Sequence, residues 1–182
     1  MEPLRVYDYL VLARARVLAA VRGLSAEEYG REFPMGPGSI ARTLTHIMIS
    51  EWYYVARMRG REVPEYARWP IRSEEPPAFS EVERVWEEQA RETRAAVAEL
   101  AAAPGRTAGS RAWEEALEYR VTTDDGRRVV VTATAAGLFV QLVLHEVHHR
   151  AQVLNMLRQM GAGVEGDLDF NAMMFERREA GG

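Results

Sequence analysis

Residues 145–152 read His-Glu-Val-His-His-Arg-Ala-Gln, and three of the chain's four histidines fall inside these eight positions. A helix advances about 100° per residue, so side chains four apart stand one above the other on one face. His145 and His149 therefore present two imidazoles to one ion. Leu138, Gln141, Leu142, Gln152 and Met156 share that face, which predicts that the pair points inward. A lone inward histidine is satisfied by one hydrogen bond, whereas two stacked ones leave several ring nitrogens in need of partners, and a metal supplies them. His148 projects about 60° to one side and reads as an edge residue or a ligand's neighbour. The fourth histidine, His46, stands alone about a hundred positions earlier.

A rival reading starts from the same letters. His145-Glu146-Val147-His148-His149 satisfies H-E-x-x-H, the zinc-protease signature in which the Glu is a general base. One branch of those enzymes needs a third His about six positions after the second, but no histidine follows His149. The other branch needs a Glu on a following helix, and Glu165 and Glu176 lie beyond Gly161 in a segment without a helical pattern. The pair at 145 and 149 with distant His46 is the better fit.

Working outward, the helix bearing the pair extends from about Ala135 to Met160, with Gly161 as its stop. Before it, Leu117, Tyr119 and Val121 alternate with polar residues, Asp124-Asp125-Gly126 turns the chain, and Val129–Val131 returns, which predicts a hairpin. Further back, a helix opens at a Ser80-x-x-Glu83 capping box and stops at Pro104-Gly105. Residues 61–79, with Pro64, Pro70, Pro76 and Pro77, form an ordered loop or an excursion over the helices. Ser39 caps a helix from about Ile40 to Gly60 that carries His46. Pro3 to Gly23 is another helix, followed by a short capping-box turn at Ser25-x-x-Glu28. The fold class predicted is all-α: a four-helix bundle with a small β-hairpin between the third and fourth long helices, in a single domain spanning 1–182.

Composition narrows the function classes. The net charge of −4 is spread without blocks of one sign, so neither a nucleic-acid groove nor a polybasic membrane patch is expected. No apolar run approaches a membrane span and the N-terminus lacks signal-peptide order, so a cytoplasmic location is expected. Without cysteine there are no disulfides, thiolate nucleophiles or sulfur ligands, and a metal must be held by N and O donors. All 23 basic residues are Arg, which excludes Schiff-base chemistry and a phosphate-loop Lys.

Around His46, the residues Arg42, Thr43, Ser50 and Tyr53 make a polar stripe on an otherwise apolar helix. Such a stripe either lines a site or is a solvated face. Arg42, Ser50 and Tyr53 are accordingly candidates for orienting a substrate. On the 135–160 helix a second apolar stripe, Val140, Leu144, Val147, Ala151 and Leu154, requires cover. A neighbouring helix or a second copy of the protein would provide it.

The order of a lone His on the second long helix, a hairpin, and then His145, His149, Arg150 and Gln152 on the fourth resembles the DinB/YfiT-like metalloenzyme superfamily of four-helix bundles. The resemblance covers nearly the whole chain, including the Gly36-Pro37-Gly38-Ser39-Ile40 lead-in and the Asp167-Leu168-Asp169-Phe170 tail; Ala151 stands where the family commonly has Gly. It implies three metal ligands, at His46, His145 and His149. It further implies a divalent metal, usually zinc or nickel, frequent homodimers, and in the best-understood members transfer or isomerisation with low-molecular-weight thiols such as bacillithiol or mycothiol. Three neutral imidazoles leave a coordination position open, where a cation lowers the pKa of a thiol or water. Two functions follow as expectations. One is a divalent-metal-dependent enzyme, a thiol-dependent transferase or a small-molecule hydrolase, acting on a small-molecule substrate; the other is a non-catalytic bundle that the metal staples.

Overall fold

A computed structural model describes residues 2–102, 113–123 and 125–178. The chain is mostly helical: α1 (Pro3–Val21), α2 (Ala26–Gly30), α3 (Ile40–Met58), α4 (Phe79–Ala101), β1 (Ala116–Thr122), β2 (Arg128–Thr134), α5 (Ala135–Gln159) and α6 (Phe170–Met174), with a 3-10 turn at Tyr66–Arg68. The strands pair antiparallel, Tyr119 opposite Val131. The expected helix stop at Pro104-Gly105 and Asp124 of the hairpin turn lie outside the described residues. No described helix is long and apolar enough to cross a membrane.

Local chemistry explains most boundaries. Ser25 and Glu28 form the reciprocal capping box, with Ser25 Oγ accepting from the Glu28 amide at 3.2 Å and Glu28 accepting from the Ser25 amide at 2.8 Å. Ser39 Oγ accepts from the Arg42 amide at 3.1 Å and starts α3. Thr134 does the same for Gly137 at 3.0 Å, so β2 runs into α5 without a linker. The expected box at Ser80 and Glu83 does not form. The helix α4 begins two residues earlier than that box would set it, at Phe79, with Ala78 as an N-cap that makes no side-chain bond. Pro76-Pro77 favour extended chain up to that point, Phe79 packs edge-to-face on Tyr29 with centroids 5.6 Å apart, and Glu83 is drawn instead to Arg22 at 2.5 Å.

Packing brings α3 against α5 and α4, and α1 against α4 and α5. One half of the core joins Ile40, Leu44, Ile47 and Met48 of α3 to Trp86 of α4 and to Val153 and Met156 of α5. The other half joins Tyr7 and Leu10 of α1 to Met58, Val97, Phe139 and Leu142. The tail folds back onto α1, where Tyr9 donates to the Leu168 carbonyl at 2.9 Å and Arg16 to that of Asp167 at 2.8 Å. Val140, Leu144 and Val147, the second stripe on α5, remain 42%, 60% and 39% exposed, so no described helix covers them.

Where the two halves meet, four charges are buried together. Arg14 of α1 donates to Glu51 of α3 and to Glu146 of α5, each at 2.6 Å. Arg150 lies 3.6 Å from Glu146 and donates to Tyr9 at 2.6 Å. Glu51 also accepts from Tyr7 at 2.7 Å, Trp86 Nε1 at 2.9 Å and Thr93 at 2.8 Å. Two carboxylates face two guanidiniums, so the cluster is neutral, and nearly every lone pair of Glu51 is used. Burial opposes charge on Arg14, but Glu146 and Glu51 outweigh it and hold its pKa above the ordinary range. For Glu146 burial prevails over Arg14 and its pKa is raised. This cluster bridges α3 and α5, the helices that carry the histidines.

Candidate metal centre

His145 and His149 share one face of α5, as their spacing predicted, and His46 of α3 meets them there, as the family resemblance implied. Their ligand-capable ring nitrogens all lie within 4.8 Å of one another, and Nε2 of His46 is 3.0 Å from Nε2 of His145. Ring centroids stand 4.5 to 4.8 Å apart around the triangle. Tetrahedral binding with metal–nitrogen bonds near 2.0–2.1 Å separates two ligand nitrogens by roughly 3.3 Å, so small side-chain adjustments would admit an ion. The donor set is all nitrogen, which suits zinc or nickel.

Protonation agrees with that use. Burial, reinforced by His149, pushes the His46 pKa down to about 4, with Glu74 acting weakly the other way. Burial again, with His149, His46 and His148 adding to it, pushes His145 down to about 3. His149 is also lowered, by burial first, with Gln152 opposing. All three rings are thus neutral near pH 7, with lone pairs available. His149 Nδ1 lies 2.8 Å from Gln152 Oε1, an acceptor that places the ring proton on Nδ1 and turns the Nε2 lone pair toward the other rings. Gln152 also reaches His148 Nε2 at 3.2 Å. His148 itself is exposed and outside the triad.

A glycine makes that geometry possible. Gly36, at φ +51°, brings its backbone so near α5 that a Cβ there would stand 2.2 Å from Gln152 Oε1. The Gly-Pro-Gly lead-in to α3 is therefore fitted around the residue that orients His149.

The general-base role that the protease reading gives Glu146 does not survive. Glu146 is 2% exposed and ion-paired with Arg14 on the buried side of α5, because one residue's step rotates it about 100° away from His145. The inward face of α5 is correspondingly shifted. Leu138, Leu142 and Met156 are buried as expected, but Gln141 is exposed and the two histidines are half-buried at the rim of the core.

The candidate orienting residues separate. Tyr53 and Ser50 are half-buried on the His46 side of α3, whereas Arg42 turns away to Glu32 at 3.4 Å. Thr43 is buried and donates to the Ser39 carbonyl at 2.6 Å. Tyr54, which the sequence did not single out, reaches the centre: its ring is 5.7 Å from that of His145 and its hydroxyl accepts from Gln141 at 3.3 Å. The 61–78 excursion passes over this face. Its Trp69 packs on Trp52, Tyr53 and Tyr66, and Tyr66 donates to Glu74 at 2.7 Å.

Comparison with known proteins shows the family and the fold. The model of the DinB family matches residues 1–178. Among solved structures, a DinB-like protein from Bacillus cereus ATCC 10987, determined at 2.01 Å resolution, superposes with a TM-score of 0.52 at 15% identity, covering 85% of this chain and 90% of that one. At that identity the likeness speaks for the fold alone. No curated protein matches the chain.

Proposed function

The chain belongs to the DinB family, and from that premise we propose that it is a divalent-metal-dependent enzyme, of the thiol-dependent transferase or small-molecule hydrolase kind, built as a four-helix bundle. The observation that carries this reading is the convergence of three neutral imidazoles with no fourth His, Asp or Glu among the described residues in the group. A structural zinc site closes its tetrahedron with four protein ligands, whereas a catalytic one keeps a position open. The stapled, non-catalytic alternative has no such closing ligand to support it.

When bound, a zinc or nickel ion would supply positive charge that lowers the pKa of a thiol or water in the open position. The chain's own residues do the rest. His46, His145 and His149 hold the ion as neutral donors, Gln152 fixes the tautomer of His149, and the buried cluster of Arg14, Glu51 and Glu146 keeps α3 and α5 in register. Tyr54, Ser50 and Tyr53 stand on the side from which a substrate would approach. The exposed stripe of Val140, Leu144 and Val147 supports a homodimer through α5, and a net charge of −4 spread without blocks of one sign supports small-molecule rather than nucleic-acid or membrane-surface partners.

Elemental analysis should find about one divalent ion per chain. His46→Ala and His149→Ala should lose it, and His148→Ala should keep it; the reverse pattern overturns the ligand set. Bacillithiol and mycothiol are then paired with epoxides and activated aryl halides, with and without metal. Turnover that needs metal and vanishes in His145→Ala supports the enzyme. A cobalt-substituted protein whose spectrum no thiol or anion alters would establish the staple instead.

A further inference from the structure

The histidine triad occupies one end of a longer face of α3. Steps of about 100° carry that face from His46 through Ser50 and Tyr53 to Arg57. The Arg57 guanidinium lies 5.1 Å from the Tyr53 ring centroid and 4.7 Å from that of Tyr119 on β1, so two aromatic rings hold it in place. Its hydrogen bonding is thin. One Nη donates to the Arg120 carbonyl at 3.4 Å, and Nε is shut off from solvent without an acceptor. No described carboxylate pairs with it, its neighbour Arg59 having taken Glu99 at 3.3 Å.

Arg57 and Tyr119 line a cleft of about 490 Å³, whose walls also carry Arg61, Arg120, Glu62 and Glu118. Three guanidiniums against two carboxylates leave the cleft positive, and Glu118 accepts from Thr132 at 3.5 Å rather than from Arg57. A half-buried, ring-mounted guanidinium without an anion is fit to bind an oxyanion through its planar fork. We propose that the cleft is an oxyanion subsite, in which Arg57 holds a carboxylate or phosphate of an elongated substrate whose other end reaches the histidines. Arg57 lies three turns beyond His46, and its side chain leans back over Tyr53. The oxyanion and the reacting atom are therefore separated by roughly 15 Å. That span rests on the metal-centre reading, although the anion contact itself does not.

The test follows the arginine Nε–Hε resonances by NMR in the metal-loaded protein and again after chelation, while benzoate, phenyl phosphate or neutral benzamide is added. The expected result is a saturable shift of the Arg57 signal with an anion and none with benzamide, the tighter anion naming the oxyanion's source. Arg57→Gln should weaken that binding by roughly tenfold or more, and Arg57→Lys, which keeps the charge but not the fork, by less. Thermal melts establish that each variant is folded; should Arg57→Gln fail to fold, Arg57→Lys carries the comparison. Equal binding of benzamide, parental affinity in the folded variants, or no saturable shift with either anion overturns the subsite. Anion binding that survives chelation in a protein with no metal-dependent turnover supports the subsite and sinks the centre's enzymatic reading. Metal-dependent turnover without anion binding does the opposite.

Discussion

Replacing Arg14 with Met removes the cation shared by Glu51 and Glu146 while leaving a flexible apolar chain to pack on Trp86, whose ring the guanidinium now covers at 4.1 Å. The two carboxylates lose unequally. Glu51 keeps donors from Tyr7, Trp86 and Thr93, whereas Glu146 keeps only Arg150, at 3.6 Å. Breaking one partner of a buried pair costs about 3–5 kcal/mol, and with Glu51 largely satisfied the expectation is about 3–4 kcal/mol at neutral pH. For a chain of this length that is a fall in Tm of roughly 10 °C. Acid should reduce the deficit. The pKa of Glu146 is raised by burial even beside Arg14, so between its unfolded and folded pKa values the folded state holds more protons, and its contribution to stability declines as pH rises. Without Arg14 that window widens upward, so the variant's deficit should shrink from about pH 7 to about pH 5. Glu146→Gln added to Arg14→Met should restore at least half of the loss, because it removes the stranded charge. Urea unfolding of the four proteins of the cycle, at both pH values, gives the answer. A single-variant cost under about 1 kcal/mol, a deficit that grows in acid, or strict additivity in the cycle would refute the reasoning.

Three further outcomes follow from the same structure. Gly36→Ala should displace Gln152 and strip His149 of its acceptor, lowering metal affinity about 10–100-fold, as should Gln152→Ala; chelator competition measures both, and unchanged affinity refutes the link. In the metal-free protein the depressed pKa values of His46 and His145, about 4 and about 3, mean that protons bind the unfolded chain first. Stability is then lost as pH falls below the ordinary imidazole value of 6.5 toward 4, and His46→Asn should flatten that slope in the urea midpoint; an equally steep slope in the variant counts against burial as the cause. Leu144→Glu, at the most exposed apolar position of α5, should convert a dimer into a monomer by sedimentation, and a parent that is already monomeric removes the interface.

The helices and the histidine pair were legible because both rest on local periodicity. His145 and His149 lie one turn apart whatever surrounds them, and Ser25, Ser39, Gly161 and the hairpin residues act on the backbone within a few positions. The four buried charges were legible in principle. Arg14 falls in the stripe Tyr7, Leu10, Val17, Val21, and Glu51 in the stripe Leu44, Ile47, Val55, Met58, each a charge at a position where the helix is otherwise buried. Glu146 drew attention only as a protease letter, since its partner stands 132 residues away.

What sequence could not supply is distance between elements far apart in the chain. That His46 meets the pair depends on α3 packing against α5, a contact made by apolar residues of both helices and bridged by Arg14 through Glu51 and Glu146. The early start of α4 came from Phe79 finding Tyr29, a contact across about fifty residues that outweighs a capping box complete on paper. Arg42 looked like a site residue because it neighbours His46 on the helix, yet Glu32 on the preceding loop claims it. By itself the sequence determined which side chains share a helical face, for that follows from a fixed rotation per residue. Only the tertiary structure decided which faces meet, because that is settled by burial and pairing summed over the whole chain.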